Sequence, residues 1–171
     1  MEPYAEPILD IRVSDGNSPF FLDYHYQELG KDAFGWIVEN HYIRSALLHE
    51  ARRYGNLTLR EKETIQHFNA EEARNIVRLS SGETMHCSVL VAADGRHSRL
   101  RDMAGLPSTS LSYGHSAIVC TIAHSLPHYG LAQERFLPAG PFAVLPMTNN
   151  RSSLVWVEPD ERMSMYMQLD P

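Results

Sequence analysis

Val89-Leu90-Val91-Ala92-Ala93-Asp94-Gly95-Arg96-His97-Ser98-Arg99-Leu100-Arg101 is the stretch on which the reading of this sequence turns. Five apolar residues in a row, without alternation, predict a strand covered on both faces, as in the middle of a parallel sheet. That strand delivers Asp94 and Gly95 to its carboxyl end, where open α/β sheets hold ligands. Gly95 lets backbone come close to a ligand. Ser98 is placed to cap a short helix carrying Leu100, Met103 and Ala104, stopped by Gly105 and Pro107. The free N–H groups at such a helix start favour an anion. Arg101 adds fixed positive charge suited to phosphate. By its residues alone, the same segment is equally a strand, a turn and a capped helix that hold no ligand.

Upstream, Leu9, Ile11 and Val13 alternate with polar residues, and Phe20, Leu22, Tyr24 and Tyr26 do so again after Asp15-Gly16-Asn17. The pattern predicts an antiparallel hairpin over residues 8–26. Gly35-Trp36-Ile37-Val38 is an extended entry to a helix whose stripe is Ile43, Ala46, Leu47, Glu50, Ala51 and Tyr54. Asn40 is its expected N-cap and Gly55 its left-handed end. Leu57 to Arg60 reads as a short extended piece. Glu63 to Phe68 and Ala73 to Leu79 are a candidate strand pair, and Ser80-Ser81-Gly82-Glu83 turns the chain into a strand over Thr84 to Cys87. Downstream, Ala117 to Ala123, Phe142 to Pro146 and Ser153 to Glu158 read as strands. Pro159-Asp160-Glu161 opens a helix.

One helix and one buried strand look like pieces of a doubly wound sheet, and the remaining strands look antiparallel. The expected fold class is therefore α+β: mainly an antiparallel sheet plus part of a second domain. The chain has 171 residues, 43% hydrophobic and 21% charged, the balance of a globular protein. A net charge of −6 with no Lys or Arg block argues against a nucleic-acid surface. Cys87 and Cys120 form no close-spaced pair and read as buried thiols rather than a disulfide. Nine scattered histidines show no HxxxH or HExxH spacing in the helix that follows Asn40, so no metal site is expected. Tyr24, Tyr26, Phe136 and Phe142 could line an aromatic pocket, although sheet core accounts for them as well. Met163, Met165 and Met167 alternate rather than form one helical stripe.

Apolar strand, Asp94-Gly95, then Ser98 and Arg101 resembles the Asp-Gly fingerprint of single-component flavoprotein monooxygenases. Gly35 to Leu48, with Val38-Glu39-Asn40 and Ala46-Leu47-Leu48, resembles the helix entry of the ubiquinone-biosynthesis hydroxylases, the UbiH-like subgroup. Gly140-Pro141-Phe142-Ala143-Val144-Leu145-Pro146 followed by Ser153-Leu154-Val155-Trp156 resembles the same subgroup. The three matches stand in the family's order and span nearly the whole chain. The family's GxGxxG turn and its later Gly-Asp segment have no counterpart here, which implies an internal portion of such an enzyme.

The resemblance implies an FAD- and NAD(P)H-dependent monooxygenase that hydroxylates an aromatic ring, a polyprenyl phenol on the route to ubiquinone. The reactive chemistry would belong to the cofactor, so no catalytic side chain is expected. Asn40 falls where the family's helix entry contacts the flavin, and Asp94, Gly95 and Arg101 fall on the fingerprint linked to FAD and nicotinamide. The implied division is a substrate-domain hairpin over 1–34, a partial FAD domain over 35–106, and substrate-domain sheet with the start of a helix over 107–171. Without the missing segments, FAD binding by this chain is expected to be weak or absent. Self-association through the helix or through Val89 to Ala93 is expected. The implied location is cytoplasmic, peripheral to the inner membrane or within a quinone-enzyme assembly. The alternatives are a hydroxylase of another aromatic substrate and a non-catalytic binding module derived from this family.

Overall fold

A computed structural model describes residues 2–30, 32–71 and 74–169. By internal contacts the chain divides into two units, residues 1–53 with 112–171, and residues 54–111. Strands outnumber helices, and the α+β class holds.

The first unit is built on a six-stranded sheet. Its strands are β2 (Asp10–Asp15), β3 (Phe21–His25), β8 (His115–Ala123), β9 (Leu131–Leu137), β10 (Gly140–Met147) and β11 (Arg151–Pro159), in the spatial order β3-β2-β9-β10-β11-β8. The expected hairpin is present: Ile11 stands opposite Tyr24 and Val13 opposite Leu22. Its register is pinned by a cross-strand fork in which Arg12 Nε and Nη2 donate to Asp23 Oδ1 and Oδ2 at 2.8 and 2.9 Å. The Arg12 guanidinium also lies 4.3 Å from the Phe21 ring centre. Strand β2 runs parallel to β9, and the other pairings in this sheet are antiparallel. Strand β9 was not expected from the sequence. The core lies along β9, β10 and β11, where Ala132, Ala143, Pro146, Met147 and Ser152 are buried.

A two-stranded piece, β1 (Ala5–Ile8) with β4 (Gly35–Val38), leads into α1 (Asn40–Ala51). The helix starts one residue earlier in its capping frame than the sequence suggested. Glu39 holds the cap position in extended backbone and Asn40 is the first helical residue. Gly55 has no positive φ, and the helix stops at Ala51 followed by a right-handed Arg52. Side-chain capping by Asn40 would have satisfied an end N–H; here the start is made by the Glu39 carbonyl, which accepts from Tyr42 and Ile43. Helix α3 (Asp160–Tyr166) follows β11, as its Pro-Asp-Glu start predicts. It lays Tyr166 against Trp156 at 4.7 Å between ring centres, and Phe142 meets Trp156 edge-on at 6.5 Å. Phe142 pairs with Arg135, so the neighbouring Phe136 points to the other face and the four expected aromatics do not form one pocket.

The second unit is a three-stranded antiparallel sheet of β5 (Ile65–Ala70), β6 (Asn75–Leu79) and β7 (Thr84–Cys87), with α2 (Arg99–Met103). Ala73, counted in the expected strand pair, lies outside the described residues. Leu57 to Arg60 is not a strand. The largest correction is at Val89 to Ala93, which is neither a strand nor buried: Val89 is 73% and Val91 76% exposed. A strand of that kind needs hydrogen-bonded neighbours on both sides and cover on both faces. Among the described residues no strand pairs with it, so the apolar run stays open.

Candidate functional site

The Asp-Gly turn closes on itself through its own side chains. Ser98 precedes α2, and its Oγ accepts from the Arg101 N–H at 3.0 Å, the capping bond the sequence predicts. The same hydroxyl donates to Asp94 Oδ1 at 2.5 Å, and Asp94 Oδ2 accepts from the Leu100 N–H at 3.3 Å. The anion held at this helix start is therefore the chain's own carboxylate. Its pKa is held below the ordinary value, first by the Ser98 hydroxyl, with backbone N–H groups of the turn adding to the effect against a partial desolvation. Ser98 is 6% exposed.

Arg101 folds back over this turn. Its Nη1 donates to the Arg96 carbonyl at 3.1 Å and its Nη2 to Asp102 Oδ1 at 3.3 Å. Its Nε is buried and has no hydrogen-bond partner. Gly95 has φ +86°, and nothing lies within 4 Å of where a Cβ would stand, so its backbone is bare toward open space. Gly95, Ser98 and Arg101 line one cleft of about 670 Å³, walled by Phe68, Leu90, Ala92, Leu100 and Leu106 and by Asn75. That size falls in the range of small-molecule and cofactor sites. Of the sequence candidates, Asp94, Gly95 and Arg101 thus come together. Phe68 and Asn75 were not anticipated as lining residues, since both read only as strand positions.

Asn40 belongs to the other unit, on the first turn of α1. There it helps to line a cavity of about 370 Å³ with Glu39, His41, Thr121, Met147 and Ser153. Beside it, Glu39 Oε2 accepts from Arg151 Nη2 at 2.8 Å and Oε1 from Nη1 at 3.4 Å. The hydrogen bond from Arg151 draws the Glu39 pKa down, and the same bond draws that of Arg151 up. This pair was not singled out from the sequence; its members lie 112 positions apart. Among the described residues no three His, Cys, Asp or Glu side chains converge as metal ligands would. No helix among them is long and apolar enough to cross a membrane.

Residues 19–164 match the family model described as FAD binding domain. The ubiquinone hydroxylase UbiL of Rhodospirillum rubrum is 45% identical over 154 residues, covering 90% of this chain and 36% of that protein. The mitochondrial ubiquinone biosynthesis monooxygenase COQ6 of Danio rerio is 31% identical over 97% of this chain and again 36% of its own length. The chain thus spans little more than a third of these curated relatives. Among solved structures, Pseudomonas aeruginosa PqsL in complex with 2-aminobenzoylacetate superposes with a TM-score of 0.79 at 19% identity, over 96% of this chain and 46% of that one. Klebsiella pneumoniae HpxO complexed with FAD and uric acid gives 0.73 at 16%, over 93% and 42%. These two share the fold. With the match covering most of its length, this chain belongs to the FAD-binding-domain family.

Proposed function

We propose that the chain is part of an FAD- and NAD(P)H-dependent monooxygenase that hydroxylates an aromatic ring, a polyprenyl phenol on the route to ubiquinone. The observation that carries this reading is the 45% identity, over nine-tenths of the chain, to a protein named a ubiquinone hydroxylase. The residues of the Asp-Gly turn fit a flavin dinucleotide. Bare backbone at Gly95 admits close approach, and the Arg101 guanidinium on the same cleft brings positive charge suited to phosphate.

In this reading Gly95 and Arg101 hold the cofactor, and Asp94 fixes the turn that presents them. Asn40 contributes a side-chain amide from the start of α1. The flavin, when bound, supplies electron transfer from NAD(P)H to oxygen. The chain's own part is to orient the ring and keep water out. A polyprenyl substrate is a membrane lipid, so the whole protein would work at a membrane surface, peripheral to it. The exposed Val89 and Val91 are consistent with self-association of the chain through that run.

The test is to express the longer protein containing this chain in a strain deprived of its ubiquinone ring hydroxylase. Restored ubiquinone, with the purified protein carrying FAD, is the expected result. Asp94→Ala and Arg101→Ala should lower its flavin content far more than its thermal midpoint. A flavin-free protein that restores nothing would sink the reading.

A further inference from the structure

We propose that Glu39 and Arg151 are a positioning pair: their ion pair fixes the first turn of α1 against the β10–β11 turn and so sets Asn40 in the wall of the 370 Å³ cavity. The proposal rests on the reading of Asn40 as a flavin contact.

Glu39 has the backbone of a residue entering a helix, φ −68° and ψ 135°. Its carbonyl accepts from the N–H groups of Tyr42 and Ile43 at 3.0 and 3.4 Å. Its side chain makes no capping bond, although capping is the usual use of a polar side chain at this place. The carboxylate is turned instead to Arg151, with a 2.8 Å bond on one oxygen and a 3.4 Å bond on the other. A forked guanidinium–carboxylate contact fixes direction as well as distance.

Arg151 is itself held. Its Nε donates to the Thr148 carbonyl at 3.1 Å and its Nη2 to Thr148 Oγ1 at 3.4 Å. Thr148 begins the turn in which Asn149 and Asn150 take positive φ, 66° and 50°, a conformation that Asn tolerates better than most side chains. The turn presents the guanidinium through these two bonds to Thr148. Both partners are 28% exposed at the side chain, shielded more than an ordinary surface pair. Helix α1 has no buried residue among its twelve. Packing at its entry includes the Tyr42 ring stacked on Tyr4 at 3.9 Å between ring centres, and the polar tie adds direction to that contact. The cavity wall carries the two sides of this tie: Glu39 and Asn40 from the helix start, Met147 and Ser153 from the strands flanking the turn.

Two measurements test it. In the 171-residue chain, hydrogen exchange should show the amides of Tyr42 and Ile43 opening about tenfold faster in Glu39→Gln, with those of β10 and β11 unchanged. In the longer protein, Glu39→Gln and Arg151→Lys should each weaken FAD binding, read by flavin fluorescence, about tenfold at an unaltered thermal midpoint. The double exchange Glu39→Arg with Arg151→Glu should recover most of it. Should Glu39→Gln fail to fold, Arg151→Lys, which keeps the charge and loses the fork, carries both arms. Wild-type exchange at Tyr42 and Ile43, or a lowered thermal midpoint with unchanged FAD affinity, would overturn the positioning role. If the unaltered longer protein binds no FAD, the functional reading falls, while the exchange arm still decides whether the pair orders the helix entry.

Discussion

Gly140 opens β10 directly behind β11, and a methyl group there has nowhere to go. A Cβ on Gly140 would stand 2.5 Å from the Val157 carbonyl oxygen and 3.0 Å from its carbonyl carbon. Real Cβ contacts essentially never fall under 3.0 Å, so the strand would have to retreat by at least about 0.5 Å in a close-packed interior. The obstacle is backbone in a strand paired on both sides, to β10 and to β8, not a side chain that can turn away. Overpacking of this kind costs about 1–3 kcal/mol, and a displacement shared by two ladders belongs at the upper end. Gly55→Ala is the control: nothing lies within 4 Å and its φ is not positive. It should be neutral or stabilise by less than about 1 kcal/mol. Urea unfolding followed by Trp156 fluorescence measures both. With a slope of about 1–3 kcal/mol per M, Gly140→Ala should lower the midpoint by roughly 1 M or more. A Gly140→Ala midpoint equal to that of wild type would refute the argument, because the strand would then have yielded without loss.

Ser98→Ala should destabilise residues 54–111 by about 1 kcal/mol through loss of the α2 cap, measured by hydrogen exchange in α2. The Asp94 pKa is depressed, so its contribution is present above the ordinary value of 3.8 and lost as pH falls through the lower folded value; Asp94→Asn should flatten that acid limb in a pH series of unfolding midpoints. The His25 pKa is raised, first by its bond to Asp10 at 2.8 Å, so its contribution is complete below 6.5 and lost as pH rises through the folded value. NMR titration of the His25 ring should show its midpoint moving down in Asp10→Asn, and an unmoved midpoint would contradict the assignment.

The hairpin was legible because Ile11, Val13, Leu22 and Tyr24 announce period two and the turn residues stand between them. The Ser98 cap was legible for the same local reason. Strand β9 was not, because Gln133-Glu134-Arg135 fill its centre and erase the apolar pattern, while its pairing with β2 is a tertiary fact. Val89 to Ala93 misled in the opposite sense: composition signals burial, but burial depends on neighbours that the described residues do not supply. At the candidate site, sequence placed Asp94, Gly95 and Arg101 together but not the inward turn of the Asp94 carboxylate. The Glu39–Arg151 tie could not be read, since no local pattern links positions 112 apart.

The parallel joint between β2 and β9 sets a timetable for the ribosome. Arg135 donates to the carbonyl of Gly16 across 119 positions, and the hairpin finds its sheet neighbour only when β9 has been made. At about 5–20 residues per second, the hairpin would wait on the order of 6–24 s after leaving the exit tunnel. During that interval the edge of β2 that pairs with β9 stays open, and residues 54–111 are synthesised and free to fold first. Nascent chains stalled short of β9 should therefore be the ones that chaperones retain.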